Sequence, residues 1–288
     1  TRGVVGESGC GKSTLGRTIL GLQPATGGKV LYKGRDITRL QGAEQRKLRR
    51  EIQIIFQDPY SSINPRHSIS RIIGEPIWVN RLVHNKAELE KRVRELMEIV
   101  GLAPRLYNAY PHELDGGRRQ RVGIARALGM SPKFIVCDEP VSALDVSIQA
   151  QILNLLMDLQ EKLGLTYLFI THDLSVVKHI SNEIVVMYLG QCVEQAPADE
   201  LFAHPVHPYT KALLSAIPVA NASAREHRPQ LIKGEITSPI DPKPGCRFAA
   251  RCPHVTERCL GTDIPLREIA PGHSVACLLF GEGALPNA

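Results

Sequence analysis

Apolar positions along the chain follow two alternating periods. Short continuous runs occur at Val4-Val5, Gln53–Phe56, Phe134–Cys137 and Thr166–Ile170, with the length and β-branched content of buried strands. Between them, apolar residues recur every three or four positions, as on one face of a helix. Leu89, Val93, Leu96 and Val100 share such a face; Asn85 with Glu88 three residues on has capping-box spacing, and Gly101 is the stop. A second helix is predicted to start near Gly116-Gly117 with Val122, Ala125 and Leu128 inward. A longer one carries Ile148, Ile152, Leu155, Leu159 and Leu163 and ends at Gly164. Lys29–Tyr32 alternates like a strand, Leu15 to Leu22 suits a helix, and residues 184–195 suit a hairpin turning at Leu189-Gly190.

Strands alternating with helices predict an α/β fold with a doubly wound parallel sheet. The helical texture that begins near residue 60 marks an inserted α-helical subdomain. The predicted organisation is a core from residues 1–59 and 133–204, a helical subdomain at 60–132, and a C-terminal extension at 205–288. Pro205, Pro208, Pro218, Pro229, Pro239, Pro242 and Pro244 break up that extension, which is expected to lie on the core rather than to fold as a second domain. No internal repeat is present.

Charge changes this picture little. The formal net charge of +6 permits contact with nucleic acid or an anionic membrane but requires neither, and the run Arg46-Lys47-Leu48-Arg49-Arg50 reads as a solvated helix face. No apolar run reaches the roughly 18 to 20 residues that span a bilayer, and no signal segment opens the sequence, so a cytosolic location is expected. Seven cysteines without an export signal argue against a disulfide framework.

The candidate chemistry begins at Gly6-Glu7-Ser8-Gly9-Cys10-Gly11-Lys12-Ser13-Thr14, which fits the pattern G-x-x-x-x-G-K-[ST]. Gly6, Gly9 and Gly11 let backbone N–H groups converge on one anion, Lys12 adds a positive charge for the outer phosphates, and Ser13 is a magnesium ligand. A core strand runs about five or six residues; only five residues precede Gly6, which leads to the expectation that the natural chain begins earlier. Phosphoryl transfer also needs a metal carboxylate, a water-orienting group and a γ-phosphate sensor. Asp138 and Glu139 close an apolar strand, Asp138 as the magnesium carboxylate and Glu139 as acceptor from the attacking water. Gln57 and His172 end two other strands, where ligands of open α/β sheets collect.

These residues together resemble an ATP-binding cassette ATPase: Gly6–Thr14 a Walker A, Phe134–Glu139 a Walker B, Gln57 a Q-loop, Ser142–Asp145 a D-loop with Asp145, and His172 an H-switch. The resemblance extends to the ATPase subunits of dipeptide and oligopeptide importers through Gln57–Arg66, Tyr110–Glu113, His207–Leu214, Gly234-Glu235-Ile236 and Ser238-Pro239-Ile240. It implies a P-loop NTPase (RecA-like) core that binds ATP and Mg2+, with Ser13, Gln57 and Asp138 around the metal and Glu139, His172 and Gln57 catalytic. It also implies a peripheral protein on the cytoplasmic face of the inner membrane, with a second ATPase subunit in a heterodimer, two membrane permeases and an extracytoplasmic peptide-binding protein; no nucleic acid is expected. Two alternatives are a cassette ATPase acting on nucleic acid and a mainly regulatory subunit that does not hydrolyse ATP, the latter suggested by Asp115 and Arg118 at the signature. The first usually has two cassettes or a long coiled-coil insertion, and the intact Glu139 speaks against the second.

Two departures from the family pattern stand out. The family's adenine-stacking aromatic lies upstream of Walker A, outside this sequence. At the signature, where the family reads Leu-Ser-Gly-Gly-Gln, this chain has Leu114-Asp115-Gly116-Gly117-Arg118. Gly116 and Gly117 keep the helix N-terminus as an anion donor for the opposite subunit's nucleotide, whereas Asp115 is expected to set a carboxylate where phosphate approaches, partly offset by Arg118. Finally, Cys246, Cys252, Cys259 and Cys277 are spaced C-x5-C-x6-C-x17-C, looser than zinc-ribbon pairs. By resemblance to the peptide-importer tail they imply a [4Fe-4S] cluster; four free thiols are the alternative. His204 and His207, flanked by prolines, read as part of an extended docking segment rather than a metal site.

Overall fold

The computed structural model describes residues 1–217, 232, 234 and 240–280. In chain order, β1 (Arg2–Val5) precedes α1 (Lys12–Ile19), the short hairpin β2 (Leu31–Tyr32) and β3 (Arg35–Asp36), α2 (Gly42–Glu51) and β4 (Ile52–Ile55). Four helices follow, α3 (Pro59–Ser62), α4 (Ile69–Val79), α5 (Lys86–Ile99) and α6 (Gly116–Leu128), then β5 (Phe134–Asp138), α7 (Val146–Leu163) and β6 (Thr166–Ile170). The remainder runs α8 (Leu174–Ile180), β7 (Glu183–Tyr188), β8 (Gln191–Pro197), α9 (Ala198–Ala203), α10 (Pro208–Ser215), β9 (Arg267–Ala270) and β10 (His273–Val275). Contacts divide the chain into two units, Ser13–Ile170 and Thr1–Lys12 with Thr171–Ala288.

In Ser13–Ile170, β4, β5 and β6 pair in parallel, Ile52 opposite Phe134 and Phe134 opposite Thr166. The continuous apolar runs are explained by cover on both faces: Ile135, Val136, Cys137, Tyr167 and Phe169 are all buried. Tyr167 meets the burial of its hydroxyl by donating to the Leu156 carbonyl at 3.0 Å. The face that α7 buries is Ile152, Leu153, Leu156 and Leu159, while Leu163 is exposed. Of the expected stripe, Ile148 and Leu155 are half-buried and only Leu163 leaves the core, because the two four-residue steps from Leu155 to Leu163 outpace the 3.6-residue turn. Gly164 closes α7 at φ 62°, where a Cβ would be strained.

The helical stretch behaves as its periodicity predicts. Asn85 accepts from the Glu88 N–H at 2.9 Å, and Glu88 accepts from the N–H of His84, the residue before the cap, at 2.8 Å, so the two side chains fix the helix start reciprocally. Val93, Leu96, Met97 and Val100 are buried against α4, whose own core residues are Ile69, Ile72, Ile73 and Ile77. The charged α2 buries none of its side chains. The strand expected over Lys29–Tyr32 shrinks to Leu31–Tyr32, paired only with β3. Leu31 is exposed, so the alternation there has no apolar layer to cover it.

In the other unit the strand order is β1-β7-β8-β10-β9, with β1 and β7 parallel and the remaining pairs antiparallel. Gly3 lets α8 approach β1, since a Cβ there would sit 2.1 Å from Val177 Cγ2. The predicted β7–β8 hairpin turns at Leu189 and Gly190, both at positive φ. Within the C-terminal extension, β10 adds to the sheet beside β8. A buried carboxylate anchors it: Glu194 accepts from the Val206 and His207 N–H groups and lies 2.8 Å from His273 Nε2. Of Gly234-Glu235-Ile236 and Ser238-Pro239-Ile240, all but Gly234 and Ile240 lie outside the described residues, as do Pro218 and Pro229. Among the described residues no helix is long and apolar enough to cross a membrane.

Candidate nucleotide site

The phosphate loop leaves β1 through Gly6, where a Cβ would meet the Met187 carbonyl at 2.2 Å; only glycine lets the loop pass so close to β7. Gly9 and Gly11 have φ of 80° and 100°, and Ser8 and Gly9 are exposed at the loop's crest. Cys10 points inward: it is buried, burial pushes its thiol pKa up, and its carbonyl accepts from the Gly190 N–H at 2.8 Å. Lys12 is also buried, and its ammonium donates to the carbonyls of Gly6 at 2.7 Å and Glu7 at 3.0 Å. Cys10 Sγ is a third neutral partner at 3.8 Å, and an ammonium held by neutral groups remains a strong attractor for an anion.

The next residue of the motif, Ser13, donates from Oγ to Asp138 Oδ1 at 2.7 Å, joining the start of α1 to the end of β5. Both are predicted magnesium ligands, and the contact brings their oxygens within reach of one small cation. Thr14 follows on the exposed face of α1. Gly16, which no motif in the sequence singles out, is needed because a Cβ would crowd Val136 and Ile170 at 2.9 Å. Beside Asp138, Glu139 is nearly buried and stands at φ 47°, an uncommon conformation for a residue with a Cβ. Its N–H donates to Ile170 O at 2.9 Å, and its carbonyl accepts from Ser142. Gln57, two residues past β4, donates from Nε2 to Glu139 Oε2 at 2.9 Å. Ser13, Asp138, Glu139 and Gln57 are thus linked in pairs at the strand ends of one unit.

His172 is exposed in the segment between Thr171 and α8, whose N-terminus Asp173 caps by accepting from Ser175 N–H at 2.8 Å. At the signature, Asp115 is the N-cap of α6: Oδ1 accepts from the Arg118 N–H at 2.7 Å, and Oδ2 lies 3.5 Å from the Arg118 guanidinium. The carboxylate expected to oppose phosphate is therefore engaged by its own helix. Gly117 is forced by packing, since a Cβ would lie 2.6 Å from Ile148 Cγ2, and at Gly116 it would lie 3.1 Å from Leu144. Asp145 is the N-cap residue of α7 but makes no side-chain cap bond.

In the tail, Cys246, Cys252, Cys259 and Cys277 are unbridged and partly buried. Burial, and then the charges of their neighbours in the group, raises the pKa of Cys246 and Cys277, the latter to about 11. Among the described residues no three His, Cys, Asp or Glu side chains are arranged to hold a metal ion. Cys277 senses the charges of the other three thiols, so the tail gathers the four in one neighbourhood. His207 is a cap, its Nδ1 accepting from the Tyr209 N–H at 3.1 Å, while His204 is exposed.

Comparison with known proteins bears on the whole chain. OppF of Salmonella typhimurium, an oligopeptide transport ATP-binding protein, is 52% identical over 279 residues, covering 96% of this chain and 83% of that protein. The chain belongs to the ABC transporter family. Residues 1–142 match the family model described as ABC transporter, and residues 193–259 the one described as oligopeptide/dipeptide transporter, C-terminal region. OppF of Escherichia coli is 51% identical, with 96% of this chain and 83% of that protein covered. Among solved structures, cbiO1 from Clostridium perfringens, part of the ABC transporter complex cbiONQ, aligns with TM-score 0.64 at 30% identity, covering 70% of this chain and 79% of that one. A dimeric ATP-binding cassette in a post-hydrolysis state with ADP and Pi aligns with TM-score 0.61 at 31% identity, over 68% and 84% of the two chains. This ABC protein is therefore an ATPase with the parallel-sheet fold of the cassettes.

Proposed function

We propose that this ABC ATPase energises the import of di- or oligopeptides as a peripheral subunit on the cytoplasmic face of the inner membrane. Its partners are a second ATPase subunit, with which it forms a heterodimer, two permeases and, indirectly, an extracytoplasmic peptide-binding protein. The observation that carries the reading is the identity with OppF over 96% of the chain, joined to the separate match of residues 193–259 to the peptide-transporter tail.

The residue roles follow from the chemistry each position can perform. The loop N–H groups from Gly6 to Thr14 and the ammonium of Lys12 hold the β- and γ-phosphates. Ser13, Asp138 and Gln57 hold magnesium, which supplies charge neutralisation of those phosphates when bound. Glu139 accepts the proton of the attacking water, Gln57 positions the Glu139 carboxylate, and His172 contacts the γ-phosphate. Asp115, Gly116, Gly117 and Asp145 face the partner subunit's nucleotide. The 2.7 Å Ser13–Asp138 contact and the 2.9 Å Gln57–Glu139 contact support the metal and water assignments. A [4Fe-4S] cluster would be held by Cys246, Cys252, Cys259 and Cys277, whose thiols sense one another's charges; no step passes through it, and absence of iron and acid-labile sulfide from anaerobically purified protein would rule it out. The functional test is peptide uptake and phosphate release by the assembled transporter carrying Lys12→Ala or Glu139→Gln. Loss of both activities is expected, and unchanged uptake in either variant would overturn the reading.

A further inference from the structure

One residue of the phosphate loop is held by the C-terminal extension rather than by the loop itself. The Glu7 carboxylate faces Arg251, with Oε2 2.7 Å from Nη1 and Oε1 3.3 Å from Nη2, a two-pronged pair. The arginine side chain is only 7% exposed and the glutamate 23%, so solvent screens the pair weakly. The Glu7 N–H donates to the Tyr209 hydroxyl at 2.9 Å, and Tyr209 is fully buried. Arg251 also donates to the Tyr188 hydroxyl at 3.3 Å. Tyr188, Tyr209 and Phe248 pack as an aromatic trio with ring centroids 4.7 to 5.3 Å apart. Glu7 is thus met by the Arg251 guanidinium, by the Tyr209 hydroxyl and, at its carbonyl, by Lys12 and the Cys10 N–H.

We infer that Arg251 and Tyr209 are positioning residues for nucleotide binding, acting through Glu7 to hold the phosphate loop and to neutralise a carboxylate that would otherwise repel phosphate. An unpaired carboxylate in an anion-binding loop opposes the charge the loop must bind, and a few ångströms of partly dry protein leave that repulsion substantial. The pair removes it twice over, by charge and by drawing Oε1 and Oε2 toward the extension. The Tyr209 hydroxyl occupies the Glu7 N–H, and so fixes which N–H groups of the loop remain for phosphate. The C-terminal extension is in this respect a part of the nucleotide site. This rests on the proposed phosphate role of the loop.

The test is ATP affinity of the full chain, measured with a fluorescent ATP analogue, together with KM and kcat of the assembled transporter and the thermal midpoint of each variant. Arg251→Ala is expected to weaken ATP binding about tenfold and to raise KM more than it lowers kcat. Adding Glu7→Gln to Arg251→Ala removes the stranded charge and is expected to restore affinity to within about threefold of wild type. Tyr209→Phe, which deletes one hydrogen bond and no packing, is expected to weaken binding about threefold. A lowered midpoint without a change in affinity, or no rescue by Glu7→Gln, would overturn the inference. Lys12→Ala is the control: if it leaves affinity intact, the phosphate role of the loop fails instead.

Discussion

Gln57 Nε2 donates to Glu139 Oε2 at 2.9 Å, so the residue that follows β4 holds the carboxylate that follows β5. The bond matters because Glu139 stands at φ 47° and is 9% exposed, with its backbone fixed by Ile170 and Ser142. A carboxylate held in this way can meet a water without rearrangement, which is what general-base catalysis asks of geometry. Glu139→Gln keeps the size and the hydrogen-bonding reach of the side chain but cannot take a proton. Phosphate release is expected to fall at least about 100-fold while ATP binding survives. Single-turnover phosphate release beside equilibrium nucleotide binding checks both halves of that expectation.

The Ser13–Asp138 contact of 2.7 Å leads to a metal-dependent outcome. Asp138→Asn leaves an oxygen for Ser13 Oγ but removes the negative charge that a divalent cation seeks. The affinity advantage that magnesium gives to ATP is expected to shrink about tenfold or more in Asp138→Asn. Titrations with Mg-ATP and with ATP in EDTA measure it; in the EDTA series the variant and the wild type are expected to coincide.

How far the sequence announces this structure depends on how local the cause is. The loop Gly6–Thr14, the apolar run Phe134–Cys137 and the Asn85–Glu88 cap are written in consecutive or nearby residues, and each forms where its pattern places it. β9 and β10 gave no usable signal, because Arg267–Ala270 and His273–Val275 alternate weakly and depend on Glu194, about 80 residues earlier in the chain by the span of residues 194–273. The pairing of Glu7 with Arg251 spans 244 residues, and nothing in the phosphate-loop motif or in the cysteine spacing links the two. At the signature, the departure from the family pattern implies repulsion from Asp115, whereas the structure occupies both carboxylate oxygens within one helical turn. The roles themselves were legible only because several motifs stand together; a lone Gln57 or His172 would have said little.

His207 gives the chain a pH dependence. Burial holds its pKa down, from 6.5 to about 4, and its Nδ1 must be unprotonated to accept from the Tyr209 N–H. Above pH 6.5 both folded and unfolded forms carry a neutral imidazole, and the group leaves stability unaffected. As pH falls from 6.5 toward 4 the unfolded chain takes up a proton that the folded chain refuses, so stability declines, by about 3 kcal/mol in total. His207→Asn keeps a cap acceptor and removes the titration. Its thermal midpoint is expected to fall less than that of the wild type between pH 7 and pH 5, with the two compared in the same buffers by circular dichroism.

Asp115 separates a structural role from an electrostatic one. As the N-cap of α6 it satisfies the Arg118 N–H at 2.7 Å, and the cap itself is worth about 1 kcal/mol. Asp115→Ala is therefore expected to destabilise the protein by about that amount, whereas Asp115→Ser retains a capping oxygen and stays within about 0.5 kcal/mol of wild type. Charge is the other difference between serine and aspartate. If the partner's nucleotide approaches this helix start, Asp115→Ser with Arg118→Gln raises the ATPase turnover of the assembled transporter, because the N–H groups of Gly116 and Gly117 then meet the phosphate without a nearby carboxylate. Because Asp115→Ser leaves stability almost unchanged, such a gain could not be ascribed to better folding. Equal turnover in the double variant and the wild type would show that the bond to Arg118 already neutralises Asp115 as far as the nucleotide is concerned.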